Sequence, residues 1–168
     1  MFAGAGDDVI NASGGSGLTS WWDQQFPESS DGGRIDGGEG NDTILLSGNK
    51  VYGIIYGGND NDIINGLEAS SIQKIYGNHG DDTIYGTASD DWVAGGDGND
   101  TINVGDGNNY VWGGNWLHEY NDWLSPEGAQ SNDVIISGIG NDIIKGGEGD
   151  DQITTTGGDN QLFGGEGD

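Results

Sequence analysis

The chain has no cysteine, and only four of its 168 residues are Lys or Arg. Without cysteine there are no disulfides, iron–sulfur clusters, thiolate zinc sites or Cys nucleophiles. Two histidines and no His-Glu-x-x-His pattern leave little from which to build a catalytic zinc site. Against 29 Asp and Glu, the four basic residues leave a net charge of −25. Phosphate repels such a polyanion, so nucleic acid and anionic membrane surfaces are poor partners. No apolar run approaches the ~18–20 residues of a membrane helix, so membrane insertion is not expected. Proline is scarce at two residues, but glycine is abundant at 36.

A glycine-rich, acidic chain with few apolar residues ordinarily stays disordered. The spacing argues otherwise. Gly95-Gly96-Asp97-Gly98-Asn99-Asp100-Thr101-Ile102-Asn103 recurs closely at Gly37–Leu45 and Gly146–Thr154. The unit has nine places: Gly, Gly, any, Gly, any, Asp, any, apolar, any. Looser copies begin at Ala3, Gly57, Gly77, Gly86, Val104, Gly128, Ser137 and Thr155. The departures are additions: a long one within 12–36, two residues in each of 46–56 and 66–76, and several around 115–120. The length suggests a single domain over 1–168 that carries the two larger insertions near 12–36 and 115–120.

Each unit divides into a six-residue turn and a three-residue strand. Glycine at the first, second and fourth places allows positive φ and close backbone approach. The eighth place is nearly always aliphatic, as a half-buried strand requires. Two units make one coil of eighteen residues with two faces. Face A is expected to carry Ile10, Ile44, Ile64, Ile84, Ile102, Leu124, Ile144 and Leu162 inward. Face B is expected to carry Ile35, Ile55, Ile75, Val93, Val111, Ile135 and Ile153. A disordered chain has no reason to keep two aliphatic files in phase through four interruptions.

This pattern resembles the RTX (repeats-in-toxin) nonapeptide family, the hemolysin-type calcium-binding repeats of secreted bacterial proteins. The resemblance implies an all-β, right-handed parallel β-roll with Ca²⁺ between successive turns, in an extracellular protein exported by type I secretion or held at the cell surface. About eight coils at ~4.8 Å per strand would make a rod roughly 40 Å long. The chain opens and stops within repeats, so it is expected to be a fragment of a longer secreted protein whose other activities lie elsewhere.

The sixth place carries the chemistry. On face A it reads Asp8, Asp42, Asp62, Asp82, Asp100, Asp122 and Asp142, then Asn160. On face B it reads Asp91, Asn109, Asp133 and Asp151. Stacked carboxylates ~5 Å apart repel by ~3 kcal/mol per pair at an effective dielectric of ~20. Such a file needs cations. The donors are carboxylates and the carbonyls of glycine turns: Gly37, Gly38 and Gly40; Gly57; Gly77 and Gly80; Gly95, Gly96 and Gly98; and Gly146, Gly147 and Gly149. Hard oxygen donors in a pliable loop suit several Ca²⁺ ions better than Mg²⁺, and zinc lacks its usual ligands. The thin core implies that metal binding supplies part of the folding free energy. Face A is expected to hold a continuous calcium row and face B at most a partial one.

The outward places of face B collect Tyr56, Tyr76, Trp92, Tyr110 and Trp112. These rings either stack on one another as cross-strand pairs or offer a flat surface to polysaccharide or to a neighbouring domain. His118 and Glu119 form no acid–base dyad, and nothing else in the sequence suggests an enzyme. The expected function is a non-enzymatic calcium-binding scaffold that folds outside the cell. The alternative is a polysaccharide-binding or adhesion module using the aromatic face and the Trp-rich insertions.

Overall fold

A computed structural model describes residues 2–13, 33–114 and 131–167. Thirteen strands follow in chain order: β1 (Phe2–Ala5), β2 (Val9–Ser13), β3 (Arg34–Glu39), β4 (Thr43–Asn59), β5 (Ile63–His79), β6 (Thr83–Tyr85) and β7 (Trp92–Asp97), then β8 (Thr101–Gly105), β9 (Tyr110–Trp112), β10 (Val134–Ser137), β11 (Ile143–Glu148), β12 (Gln152–Thr155) and β13 (Gln161–Glu166). Every pairing is parallel. The chain therefore winds as a β-solenoid, and no helix occurs among the described residues. The long strands β4 and β5 each run across both faces, because their two-residue additions extend the strand instead of closing a tight turn.

The eighth-place residues stack in register. On face A, Ile10 pairs Ile44, then Ile64, Ile84, Ile102, Ile135 and Ile153. On face B, Ile35 pairs Ile55, then Ile75, Val93, Val111, Ile144 and Leu162. Ile44, Ile64, Ile84, Ile102, Ile135, Ile55, Val111 and Ile144 are fully buried. Each such side chain stabilises the roll by about 1.5–3 kcal/mol. β-Branched residues fill these places because they pack well on a pleated surface.

After Trp112 the faces differ from the sequence expectation. Ile102 pairs Ile135 and Val111 pairs Ile144, each across 33 residues, where Leu124 and Ile135 were the expected partners. Ile135 and Ile153, expected on face B, therefore lie on face A. Ile144 and Leu162, expected on face A, lie on face B. The chain leaves face B after Trp112 and returns on face A at Val134. Because Ile102 and Ile135 are direct partners, no rung containing Asp122 and Leu124 lies between them; those two residues lie outside the described segments. Among the described residues face A has seven rungs, giving about six full turns where eight coils were expected.

The glycine pattern has two separate causes. At the second and fourth places of the turns leading from face B to face A, φ is positive, for example 125° at both Gly96 and Gly98. Where glycine is missing there, Asp60 (φ 72°) and Asn78 (φ 81°) take over. Asp and Asn are among the few residues that tolerate this conformation. At the first place the constraint is space. A Cβ on Gly95 would overlap both the Asp100 carboxylate and the Gly113 carbonyl.

Candidate metal centre

Two edges join the faces. The Asp100 edge takes the chain from face B to face A, and the Asn109 edge takes it back. On the Asp100 edge the sixth-place residues are Asp8, Asp42, Asp62, Asp82, Asp100, Asp133 and Asp151. Each of the first six links to the next coil by the same two bonds. The Asp42 N–H donates to Asp62 Oδ1 (2.7 Å), and its carbonyl accepts from the Ile63 N–H (2.8 Å). The carboxylate ladder repeats at Asp8–Asp42, Asp62–Asp82, Asp82–Asp100, Asp100–Asp133 and Asp133–Asp151, at 2.7–2.9 Å.

Asp133 and Asp151 therefore continue the file of Asp100, contrary to their expected place on face B. Asp142 joins the other edge, where it follows Asn109 and precedes Asn160. Asp91 heads that row, as expected.

The second carboxylate oxygen carries the chemical signal. Oδ2 of Asp42, Asp62, Asp82, Asp100, Asp142 and Asp151 is buried and accepts no hydrogen bond among the described residues. In the turns of the Asp100 edge it faces the first-place glycine of its own turn, beside the first-place carbonyl of the next coil. Asp62 Oδ2 with the Gly77 carbonyl at Gly57, and Asp82 Oδ2 with the Gly95 carbonyl at Gly77, show the arrangement; it recurs at Gly37, Gly95, Gly113 and Gly146. A buried carboxylate oxygen with no donor costs free energy unless something positive approaches it.

The electrostatics agree. Burial pushes Asp62 up to about 7, Asp82 to about 8 and Asp100 to about 9. Neighbouring carboxylates add to the rise: Asp133 and Asp82 act on Asp100, and Asp62 on Asp82. The backbone N–H bonds oppose it without prevailing. Asp42 and Asp151 are also raised, chiefly by burial. Burial raises Asp133 to about 6, with the Asp100 N–H and then the Ser131 hydroxyl restraining it.

Calcium fits this donor set. Every donor is oxygen, and the unsatisfied atoms are anionic. No three acidic or histidine side chains converge among the described residues. Backbone carbonyls of the glycine turns must therefore complete any coordination shell. The ion's contribution would be to neutralise successive carboxylates that burial otherwise drives towards protonation.

A second ladder went unread because the repeat motif treats the fifth place as free. It holds Asp7, Asn41, Asn61, Asp81, Asn99, Asn132 and Asp150 on the Asp100 edge. Here each backbone N–H donates back to the preceding coil: Asn41 N to Asp7 Oδ1 (2.9 Å), Asp81 N to Asn61 Oδ1 (2.8 Å), Asp150 N to Asn132 Oδ1 (2.7 Å). The fifth and sixth places thus bond in opposite directions along the axis. The signal was present, since every fifth place is Asp or Asn.

On face B the expected aromatics pack against one another, Tyr56 on Tyr76 and Tyr110 on Trp112 stacked and Trp92 tilted to both its neighbours. Tyr56 and Tyr76 lie 5.2 Å apart and nearly parallel, and Trp92 lies 5.1 Å from Tyr110 and 5.9 Å from Trp112. The sequence reading did not anticipate the cations among them. Arg34 sits 4.1 Å from the Tyr56 ring centroid, Lys74 5.3 Å from Trp92, and Lys145 5.9 Å from Trp112.

A family model for the RTX calcium-binding nonapeptide repeat matches residues 1–17, 31–48, 54–69, 74–93, 85–115, 127–162 and 146–168. The unmatched stretches coincide with the additions to the period. No curated protein and no solved structure matches the chain. The solenoid, the glycine turns and the aspartate file account for that family match residue by residue, and the chain belongs to the RTX calcium-binding nonapeptide repeat family.

Proposed function

We propose that this roll is a structural calcium-binding domain that folds outside the cell when it meets Ca²⁺, and that it is not a catalyst. The observation that carries this reading is the file of buried Oδ2 atoms beside glycine carbonyls on the Asp100 edge. Asp8, Asp42, Asp62, Asp82, Asp100, Asp133 and Asp151 would supply the charged ligands there, and Asp142 one on the other edge. Without ions the roll combines a thin core of stacked aliphatic residues with repelling carboxylates and the ordering entropy of 36 glycines. Millimolar extracellular calcium matches weak modular sites, and relatives bearing such repeats are typically secreted. Far-ultraviolet circular dichroism in chelator and in millimolar Ca²⁺ tests the idea. A cooperative gain of β structure is expected; identical spectra would remove the folding switch.

A second reading rests on face B, which gathers three of the chain's four basic residues, each beside an aromatic ring. Stacked rings flanked by cations suit polysaccharide, whose sugar faces pack on aromatics while its polar groups meet charge. The Trp92→Ala, Trp112→Ala double variant should then lose retention in polysaccharide gels and keep its calcium response. Absence of retention for the unaltered protein on every gel would remove this reading.

A further inference from the structure

The Asn109 edge is built differently, and the difference lies in what faces its turn carbonyls. Asn109 is fully buried. Its Oδ1 accepts the Asp91 N–H at 2.9 Å, which fixes the amide orientation. Its Nδ2 then points into its own turn and donates to the carbonyls of Gly107 (3.2 Å) and Gly105 (3.4 Å). Its backbone N–H donates to Asp142 Oδ1 at 2.9 Å, and its carbonyl accepts from Ile143 at 2.8 Å. Every polar group of Asn109 is satisfied.

Asn160 repeats the device. Its Oδ1 accepts from the Asp142 N–H (2.8 Å), and its Nδ2 donates to the Gly157 carbonyl (3.0 Å). At Asp91 the same end is reached by another route. The Thr87 N–H donates to Oδ2 (2.7 Å) and the Thr87 hydroxyl to Oδ1 (3.1 Å), so this carboxylate has no bare oxygen. Farther towards the N-terminus the edge is aliphatic, with Ala12, Leu46 and Ile72 buried. Among the described residues of this edge, only Asp142 Oδ2 and the Ser137 hydroxyl are buried without a partner.

We propose that the amide nitrogens of Asn109 and Asn160 take the place of a metal ion, so that this edge closes on itself and calcium loads essentially one edge of the roll. An amide N–H₂ presents partial positive charge and two donors to the carbonyls that would otherwise ligate an ion. It stays attached to the chain and needs no cation from solution. The inference rests on the calcium reading above and adds to it a rule for which turns take ions.

The test is Asn109→Asp, which turns a donor towards two carbonyls into an acceptor. Calcium counted by equilibrium dialysis should rise by at least one ion per chain relative to the unaltered protein. Near neutral pH, at calcium too low to load the new site, the melting temperature should fall by ~5 °C or more, since buried oxygens would then face one another. Higher calcium should restore it. Asn160→Asp, near the end of the stack, should behave likewise and provides a second reading if Asn109→Asp does not fold. Asn59→Asp, which adds the same charge at an exposed third place, should add no ion. If neither buried variant binds more calcium than the unaltered chain, the substitution rule is wrong. If the unaltered chain binds no calcium at all, the reading it rests on fails first.

Discussion

The backbone N–H of Asp100 donates to the carboxylate of Asp133 at 2.7 Å, although 33 residues separate them. This bond places both residues on one edge and makes each Asp carboxylate serve two coils. Oδ1 fastens the preceding turn, while Oδ2 of Asp100 has no partner and Oδ2 of Asp133 meets the Ser131 hydroxyl at 3.4 Å. Removing one carboxylate therefore leaves an unpaired N–H in the preceding coil as well as a weakened ion site.

Asp100→Ala and Asp133→Ala should each raise the calcium midpoint and cost about 1–3 kcal/mol, the range for orphaning a buried polar partner. Because the two carboxylates are neighbours in one file and would share the ion between them, the double variant should fall short of the summed losses by about 0.5–3 kcal/mol. Thermal melts of the two single variants and the double variant at fixed calcium measure this. Additive losses would mean that the two carboxylates do not share an ion.

The first-place glycines give a paired prediction. A Cβ on Gly95 would overlap Asp100 Oδ2 and the Gly113 carbonyl, whereas one on Gly164 meets nothing within 4 Å. Both occupy the same place in the repeat. Gly95→Ala should lower calcium affinity and cost about 1–3 kcal/mol, as overpacking does. Gly164→Ala should change melting by little at any calcium level. Equal effects would mean that the motif demands glycine there for backbone freedom and not for space.

Much of this was legible in the sequence because each feature repeats. The aliphatic files, the outward rings from Tyr56 to Trp112, and the carboxylates from Asp8 to Asp100 all follow from one period. The reading failed where the period stops being informative. Both faces use the same nine-residue unit, so nothing local distinguishes a face A strand from a face B strand. Asn121-Asp122-Trp123-Leu124 imitates the end of a unit, and counting it as a rung exchanges the faces of everything after it. Only hydrogen bonds across the gap, such as Asp100–Asp133 and Asn109–Asp142, fix the phase. The roles of Asn109 and Thr87 were hidden for another reason. Composition registers a missing carboxylate or an extra hydroxyl, but not where the donor points.

The pH dependence without metal should run opposite to that of an ordinary acidic protein. In the folded chain Asp62 lies at about 7, Asp82 at about 8 and Asp100 at about 9, raised first by burial. In an unfolded chain each would titrate near ~3.9. A carboxyl whose folded value is raised contributes stability that is fully present below the unfolded value and is lost as pH rises through the folded one. In chelator, the roll should therefore gain β structure and melting temperature as pH falls from about 9 towards 4. With calcium the slope should reverse, because protons compete for the same oxygens. The two curves should converge in acid and separate most widely above neutrality. Melting followed by circular dichroism, in chelator and in calcium across this range, reads both slopes. A chelator curve that is flat, or that falls with acid, would mean that the aspartate file is hydrated and not buried as described.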